Sequence, residues 1–178
     1  MNKIVIRLAA ILCLLALSLG IISCGDSDEA ESTEYHEAGL HFTLDESFRR
    51  LTVSWSQYCY YAEAGRAYFY FDLLTAERLE ENDYPADISV KNYTLKFCLV
   101  NDIALDKYDY DEAADRTVIR YTTDYPSSNG GDVETDHHWH VIFRASGLMY
   151  VVTMICPEEH LATYGEMFES LAAEIHAE

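Results

Sequence analysis

Three rhythms of apolar and polar residues divide this chain. Leu8 to Leu19 is an almost unbroken apolar run behind Lys3 and Arg7. Gly25 to about Glu37 is built from Gly, Asp, Ser, Glu, Ala and Thr with little else. From Leu40 onward apolar residues recur either at every second position or at spacings of three and four, the marks of strand and helix. Leu40 to Leu44 reads as a short strand. Residues 51–63 carry Thr52, Val53, Trp55, Tyr58, Tyr60 and Tyr61, all β-favouring. Ala64-Gly65 supplies a tight turn into 66–72. There Ala67, Phe69 and Phe71 alternate with Tyr68 and Tyr70, so both faces of the strand are substantial and a central place in a sheet is predicted. Strands 51–63 and 66–72 are predicted to pair as a hairpin.

Helix signals follow. Thr75 suits the N-cap of a short helix running to about Asn82, broken by Tyr84-Pro85-Ala86. Ser89 suits a second N-cap, and Val90, Tyr93, Phe97 and Val100 place one buried face on a helix reaching about Asn101. The second half returns to strands at 107–112, 117–125, 136–144 and 148–156. The turn Pro126 to Gly131 separates the middle pair, and Ser146-Gly147 joins the last two. Trp139, Val141 and Phe143 share one face of 136–144. Pro157 with Glu158 and Glu159 behind it suits the opening of a last helix, because the missing N–H is harmless there and the acids favour the helix dipole. Leu161, Tyr164, Phe168, Leu171 and Ile175 trace its apolar stripe. No internal repeat is visible.

The first two dozen residues change the picture from a free domain to an anchored one. A basic start and an apolar core mark a secretory signal, and the run is short of the roughly 20 residues a span requires. Ile21-Ile22-Ser23-Cys24 resembles the lipobox of bacterial lipoproteins. That resemblance implies cleavage before Cys24 and a thioether-linked diacylglycerol on its sulfur. Two acyl chains hold where one is marginal. The boundaries are therefore residues 1–23 as lipoprotein signal peptide, 24–38 as lipidated Cys24 with an acidic disordered tether, and 39–178 as one α+β domain. The location implied is the extracytoplasmic face of a bacterial cell membrane.

Charge narrows the partners. The chain carries 12 Lys+Arg against 31 Asp+Glu, a net charge of −19. Removal of Lys3 and Arg7 with the signal leaves 10 against 31, or −21. Such a field excludes nucleic acid as a general partner. Contact with the membrane comes through the lipid anchor, and an envelope protein partner is expected. The 14 tyrosines all follow the anchor, where half-buried sheet faces account for them. Cys59, Cys98 and Cys156 remain after Cys13 leaves and Cys24 is modified. One disulfide with one buried thiol, or three separate buried thiols, both fit.

One constellation suits chemistry. In Asp136-His137-His138-Trp139-His140, alternation puts Asp136, His138 and His140 on one strand face, with successive members about 7 Å apart. That set suits Zn²⁺, Cu²⁺ or Mn²⁺. The competing reading makes them solvated or packed histidines, on what could be the wetter side of the sheet. No cofactor is otherwise expected. His36, His41, His160 and His176 read as surface residues. Glu158-Glu159-His160 is not the zinc-protease pattern, and neither a nucleophile elbow nor a phosphate-binding glycine loop is present. Asp109, Asp111, Glu112 and Asp115 read as a charged edge strand protected from pairing. The chain is expected not to be an enzyme.

The order of elements carries a second resemblance. An N-terminal strand pair leads to an aromatic strand and a short helix. Asp87-Ile88-Ser89-Val90-Lys91-Asn92-Tyr93 then opens a longer helix. A three-strand meander and Cys156-Pro157-Glu158-Glu159 before the final helix complete it. This order resembles the PsbP/Mog-like superfamily over most of residues 40–176. Where relatives often have strand–Pro–x–x–Phe, this chain has Leu44-Asp45-Glu46-Ser47-Phe48. The resemblance implies an antiparallel sheet of about six or seven strands with helices on both faces, an αβα sandwich. It also implies a non-catalytic binding or assembly-accessory role, and it transfers no catalytic residues. A metal-binding envelope protein using Asp136, His138 and His140 is the alternative.

Overall fold

The computed structural model describes residues 32–127 and 132–177. The signal, Cys24, the first part of the expected tether and the centre of the Pro126–Gly131 turn lie outside the described residues. None of the described helices is long and apolar enough to cross a membrane.

A seven-stranded antiparallel sheet forms the middle layer. Its strands are β3 (Phe48–Leu51), β4 (Tyr58–Ala62), β5 (Ala67–Leu74), β6 (Tyr108–Asp111), β7 (Arg116–Pro126), β8 (Val133–Ala145) and β9 (Leu148–Pro157). The spatial order is β3-β4-β5-β9-β8-β7-β6. β5 is interior, as its two-faced alternation predicts, with Phe69 and Phe71 buried on one side. The expected strand 51–63 is two strands, β3 and β4, separated by a loop that leaves Trp55 exposed. Ser56 holds that loop down by donating to the Phe71 carbonyl at 3.2 Å. Ser146 and Gly147 both take positive φ, 50° and 81°, as a two-residue hairpin with right-handed strand twist requires.

Helices cover both faces. α1 (Ala76–Glu81) and α2 (Val90–Val100) lie on one side, and α3 (Leu161–Glu174) lies on the other. Thr75 and Ser89 cap α1 and α2, accepting from the backbone N–H of Arg78 and Asn92 at 3.2 Å each. Pro157 opens a single 3-10 turn, Glu158–His160, and the α-helix starts only at Leu161. β8 shows how the layers divide: Val141 joins the core under α3, while Ile142 joins the core under α1 and α2. Leu79, Val90, Tyr93, Cys98 and Met149 complete the second core.

A second sheet of three strands, β1 (Ser32–Glu37), β2 (Leu40–Asp45) and β10 (His176–Ala177), packs with α3 on the first core. This corrects the expected tether of residues 24–38, because its last part, from Ser32, is strand. Ala38 and Gly39 take φ of 53° and 80°, closing a two-residue hairpin that pairs Glu37 with Leu40. Tyr35 then stacks on Phe42 with ring centroids 5.2 Å apart. One well-placed aromatic and a hairpin turn thus order a segment whose composition alone reads as solvated. Asp45-Glu46-Ser47 turns the chain into β3 without a proline, the Asp45 carboxylate accepting from the Ser47 N–H at 2.8 Å.

Candidate functional site

The register of β7, β8 and β9 builds the site. Tyr121 stands opposite His138, and Thr153 stands opposite His140. Directly opposed residues share a face, so tyrosine, threonine and both histidines point toward α1 and α2. His140 is 4% exposed. Its Nδ1 meets Thr153 Oγ1 at 2.9 Å, its Nε2 meets the Tyr121 hydroxyl at 3.1 Å, and the Phe97 ring of α2 lies edge-on at 4.9 Å. Burial, aided by neighbouring His138, pushes its pKa down to about 3, so the ring is neutral at physiological pH. Either hydroxyl rotates to give or take a proton, so both ring nitrogens are satisfied in one tautomer.

His138 is stacked on Tyr121, with centroids 4.6 Å apart and planes 7° apart, and its Nε2 meets Thr123 Oγ1 at 2.8 Å. Burial lowers its pKa, against the pull of Asp136. Asp136 accepts from the Tyr125 hydroxyl at 3.1 Å. Burial and that hydrogen bond push the Tyr125 phenol up to about 12. The three predicted ligands therefore share a face, as the alternation requires, without converging. The His138 and His140 rings are parallel within 8° and 6.3 Å apart, and their nitrogens face hydroxyls on neighbouring strands. A shared metal requires lone pairs that meet at one point. Here each ring turns sideways to a separate partner. His137 lies on the opposite face beside Trp139 and pairs with Glu158.

The histidine face is also not the wetter side of the sheet. α1 and α2 roof it, leaving a cavity of about 430 Å³. Tyr70, Tyr121, His138, His140 and Thr153 line it from the sheet, and Tyr93 and Phe97 line it from α2. Tyr84 and the exposed Asn82 and Asn101 finish its edge. The partners Tyr121 and Thr153 were not singled out from sequence, and Phe97 was read there only as part of the buried face of α2. Strand alternation of Ile119, Tyr121 and Thr123 against His138 and His140 is the signal that carries them, once the β7–β8 pairing is known. Among the described residues Cys59, Cys98 and Cys156 are free and buried. Burial raises all three thiols, Cys59 and Cys156 to about 11, so none is a ready nucleophile.

No family model matches the chain, and no curated protein matches it. Solved structures do. The Ran-binding protein Mog1p of Saccharomyces cerevisiae superposes with a TM-score of 0.51 at 11% identity, over 83% of this chain and 96% of Mog1p. The chain has a Mog1-like fold. A point mutant of Mog1 aligns equally, with a TM-score of 0.50 at 10% identity, over 83% of this chain and 96% of its own. LpqN of Mycobacterium tuberculosis, described as involved in cell envelope biogenesis, gives a TM-score of 0.47 at 11% identity, covering 82% of this chain and 89% of LpqN. At these identities the likeness to Mog1 is one of fold. The Mog1-like fold agrees with the expected α+β sheet, and this chain has in addition the small sheet formed by β1, β2 and β10.

Proposed function

We propose that this protein is a lipid-anchored extracytoplasmic lipoprotein with a non-catalytic binding or assembly-accessory role in a bacterial envelope. The lipobox at Cys24 supports the anchor, and the binding role on a Mog1-like fold extends what Mog1p, a Ran-binding protein, does on the same scaffold. The carrying observation is the chemistry of the 430 Å³ cavity. Its walls carry Tyr70, Tyr84, Tyr93, Phe97 and Tyr121, with Asp72 and Arg78 also in the lining, and its most buried titratable group, His140, is neutral and held by hydroxyls on both nitrogens. Such a cavity suits seating an apolar or ring-bearing group of a partner. The base beside the Thr153 hydroxyl, His140, is held by burial far below the basicity that activating a nucleophile requires.

Crosslinking and affinity capture of the full chain from its native envelope test this reading. The expected result is a reproducible envelope protein, held by wild type and lost by Asn82→Trp or Asn101→Trp, which fill the cavity edge from exposed positions. Cys24→Ala is expected to move the protein from the membrane to the soluble fraction. Capture unchanged by the edge variants, or a Cys24→Ala protein still in the membrane fraction, would overturn the corresponding half of the proposal.

A further inference from the structure

The small sheet brings His36 and His41 together with the distant His176. His36 of β1 is the direct partner of His41 of β2, and His41 is the direct partner of His176 of β10. Opposed residues share a face, so the three imidazoles form one row across the sheet. Glu34, two positions before His36, joins the same face. The other face, through Leu40, Phe42 and Leu44, is spent on the core, so nothing in the packing of this sheet calls for a histidine row.

The distances are those of a ligand cluster. The His36 and His41 rings are 4.1 Å apart, and those of His41 and His176 are 6.5 Å apart and parallel within 7°. Glu34 Oε1 lies 3.2 Å from His36 Nε2. One donor atom from each of Glu34, His36 and His41 lies within 4.8 Å of the other two. Glu34, His41 and His176 also line a cavity of about 370 Å³ against α3, which Glu174 borders.

We infer that Glu34, His36 and His41 form a site for a divalent transition-metal ion, Zn²⁺ foremost, with His176 placed to complete the coordination. A tetrahedral zinc ion with bonds of about 2.0–2.2 Å sets its ligand atoms roughly 3.4 Å apart. The Glu34–His36 separation already matches, and the exposed Glu34 and His36 close the distance to the half-buried His41 by rotamer change. His176 is prepared for ligation in a second way. Its Nδ1 donates to the Glu174 carbonyl at 2.9 Å, which leaves the Nε2 lone pair outward. A backbone carbonyl on the far nitrogen is the usual support for a metal-bound imidazole. Imidazole with carboxylate suits zinc or copper and disfavours magnesium and calcium, which take oxygen donors. A bound ion would cross-link β1 to β2 and, through His176, reach the last strand of the chain.

The test uses the full chain in detergent, stripped of metal, titrated calorimetrically with Zn²⁺ and spectroscopically with Co²⁺. The expected result is one equivalent of Zn²⁺ bound and a Co²⁺ visible band of nitrogen–oxygen ligation. Both should weaken at least about tenfold in His36→Ala and Glu34→Gln and stay unchanged in His138→Ala, with Mg²⁺ failing to compete. His36 and Glu34 are exposed, and an unchanged circular dichroism spectrum keeps loss of binding distinct from loss of fold. Absence of a stoichiometric site in wild type would overturn the assignment. So would equal binding by His36→Ala, or loss of binding in His138→Ala. Only the His138→Ala outcome touches the aromatic cavity between the sheet and α2; the Glu34 and His36 outcomes leave it untouched, so on them the binding role stands or falls separately.

Discussion

Acid should weaken this fold through His140. An unfolded histidine takes its proton near 6.5, whereas the buried His140 does so only near 3. Between those values the unfolded chain binds the extra proton, so stability rises with pH across the window and is lost as pH falls through it. Each pH unit in the window is worth about 1.4 kcal/mol. From pH 8 to pH 5 the loss is about 2 kcal/mol, and by pH 3 it approaches about 5 kcal/mol. Carboxylates titrate in the same range, and His138, also lowered by burial, adds a smaller loss of the same sign. The measurement that isolates His140 is therefore a difference. Urea unfolding of wild type and His140→Gln is followed from pH 8 to pH 4.5. The variant loses part of the contact with Thr153 and Tyr121 at every pH, which is a constant offset. The gap between the two curves should shrink, or reverse, by about 2 kcal/mol toward pH 5. Parallel curves would refute the reasoning, because they would mean that His140 is protonated as readily folded as unfolded.

Other expected outcomes follow from packing. A Cβ added at Gly65 would collide with the Tyr164 ring, which is itself held by Phe48 and Phe168. Gly65→Ala should cost about 1–3 kcal/mol in urea unfolding, and the cost should shrink when combined with Tyr164→Leu; additive losses would reject the collision. Glu169 accepts from Trp139 Nε1 at 2.7 Å while clasping Arg120, so Glu169→Leu should lose about 1 kcal/mol and change the emission of Trp139. The buried thiols should resist a thiol reagent at pH 8 in native protein and all react on unfolding; a fast native phase from Cys59 or Cys156 would contradict their raised pKa values.

Much of the fold was legible because its signals are local. The alternation of Phe69 and Phe71 with Tyr68 and Tyr70, the caps at Thr75 and Ser89, and the stripe from Leu161 to Ile175 each depend on neighbours within a few residues. The small sheet was not legible for the opposite reason. β1 is acidic and exposed along most of its length, and what orders it is the Ala38-Gly39 turn with contacts to distant residues: Tyr35 on Phe42 and Tyr60, and Glu37 with Arg50. β10 is two residues long and exists through its pairing with β2. The histidine face was correctly grouped, since alternation fixes which residues share it. What those residues do depends on Tyr121, Thr123 and Thr153 from two other strands, and on a helical roof contributed by residues some forty positions earlier. His36, His41 and His176 were each read singly as surface, because the adjacency of His36 and His41 depends on the unforeseen β1–β2 hairpin and that of His176 on pairing between the two ends of the domain.

The β1–β2 hairpin also has a mechanical meaning. Ser32, where the described chain begins, is the register partner of Asp45, where β2 leaves for the main sheet. A pull transmitted from the preceding segment is therefore applied across the open end of the hairpin. Bonds in that geometry rupture one after another, like a zipper, and do not resist together as they would in shear. The first described strand is therefore a tear-strip: tension applied at Ser32 would peel it from β2 one register pair at a time, starting at Ser32–Asp45 and ending at the Ala38-Gly39 turn.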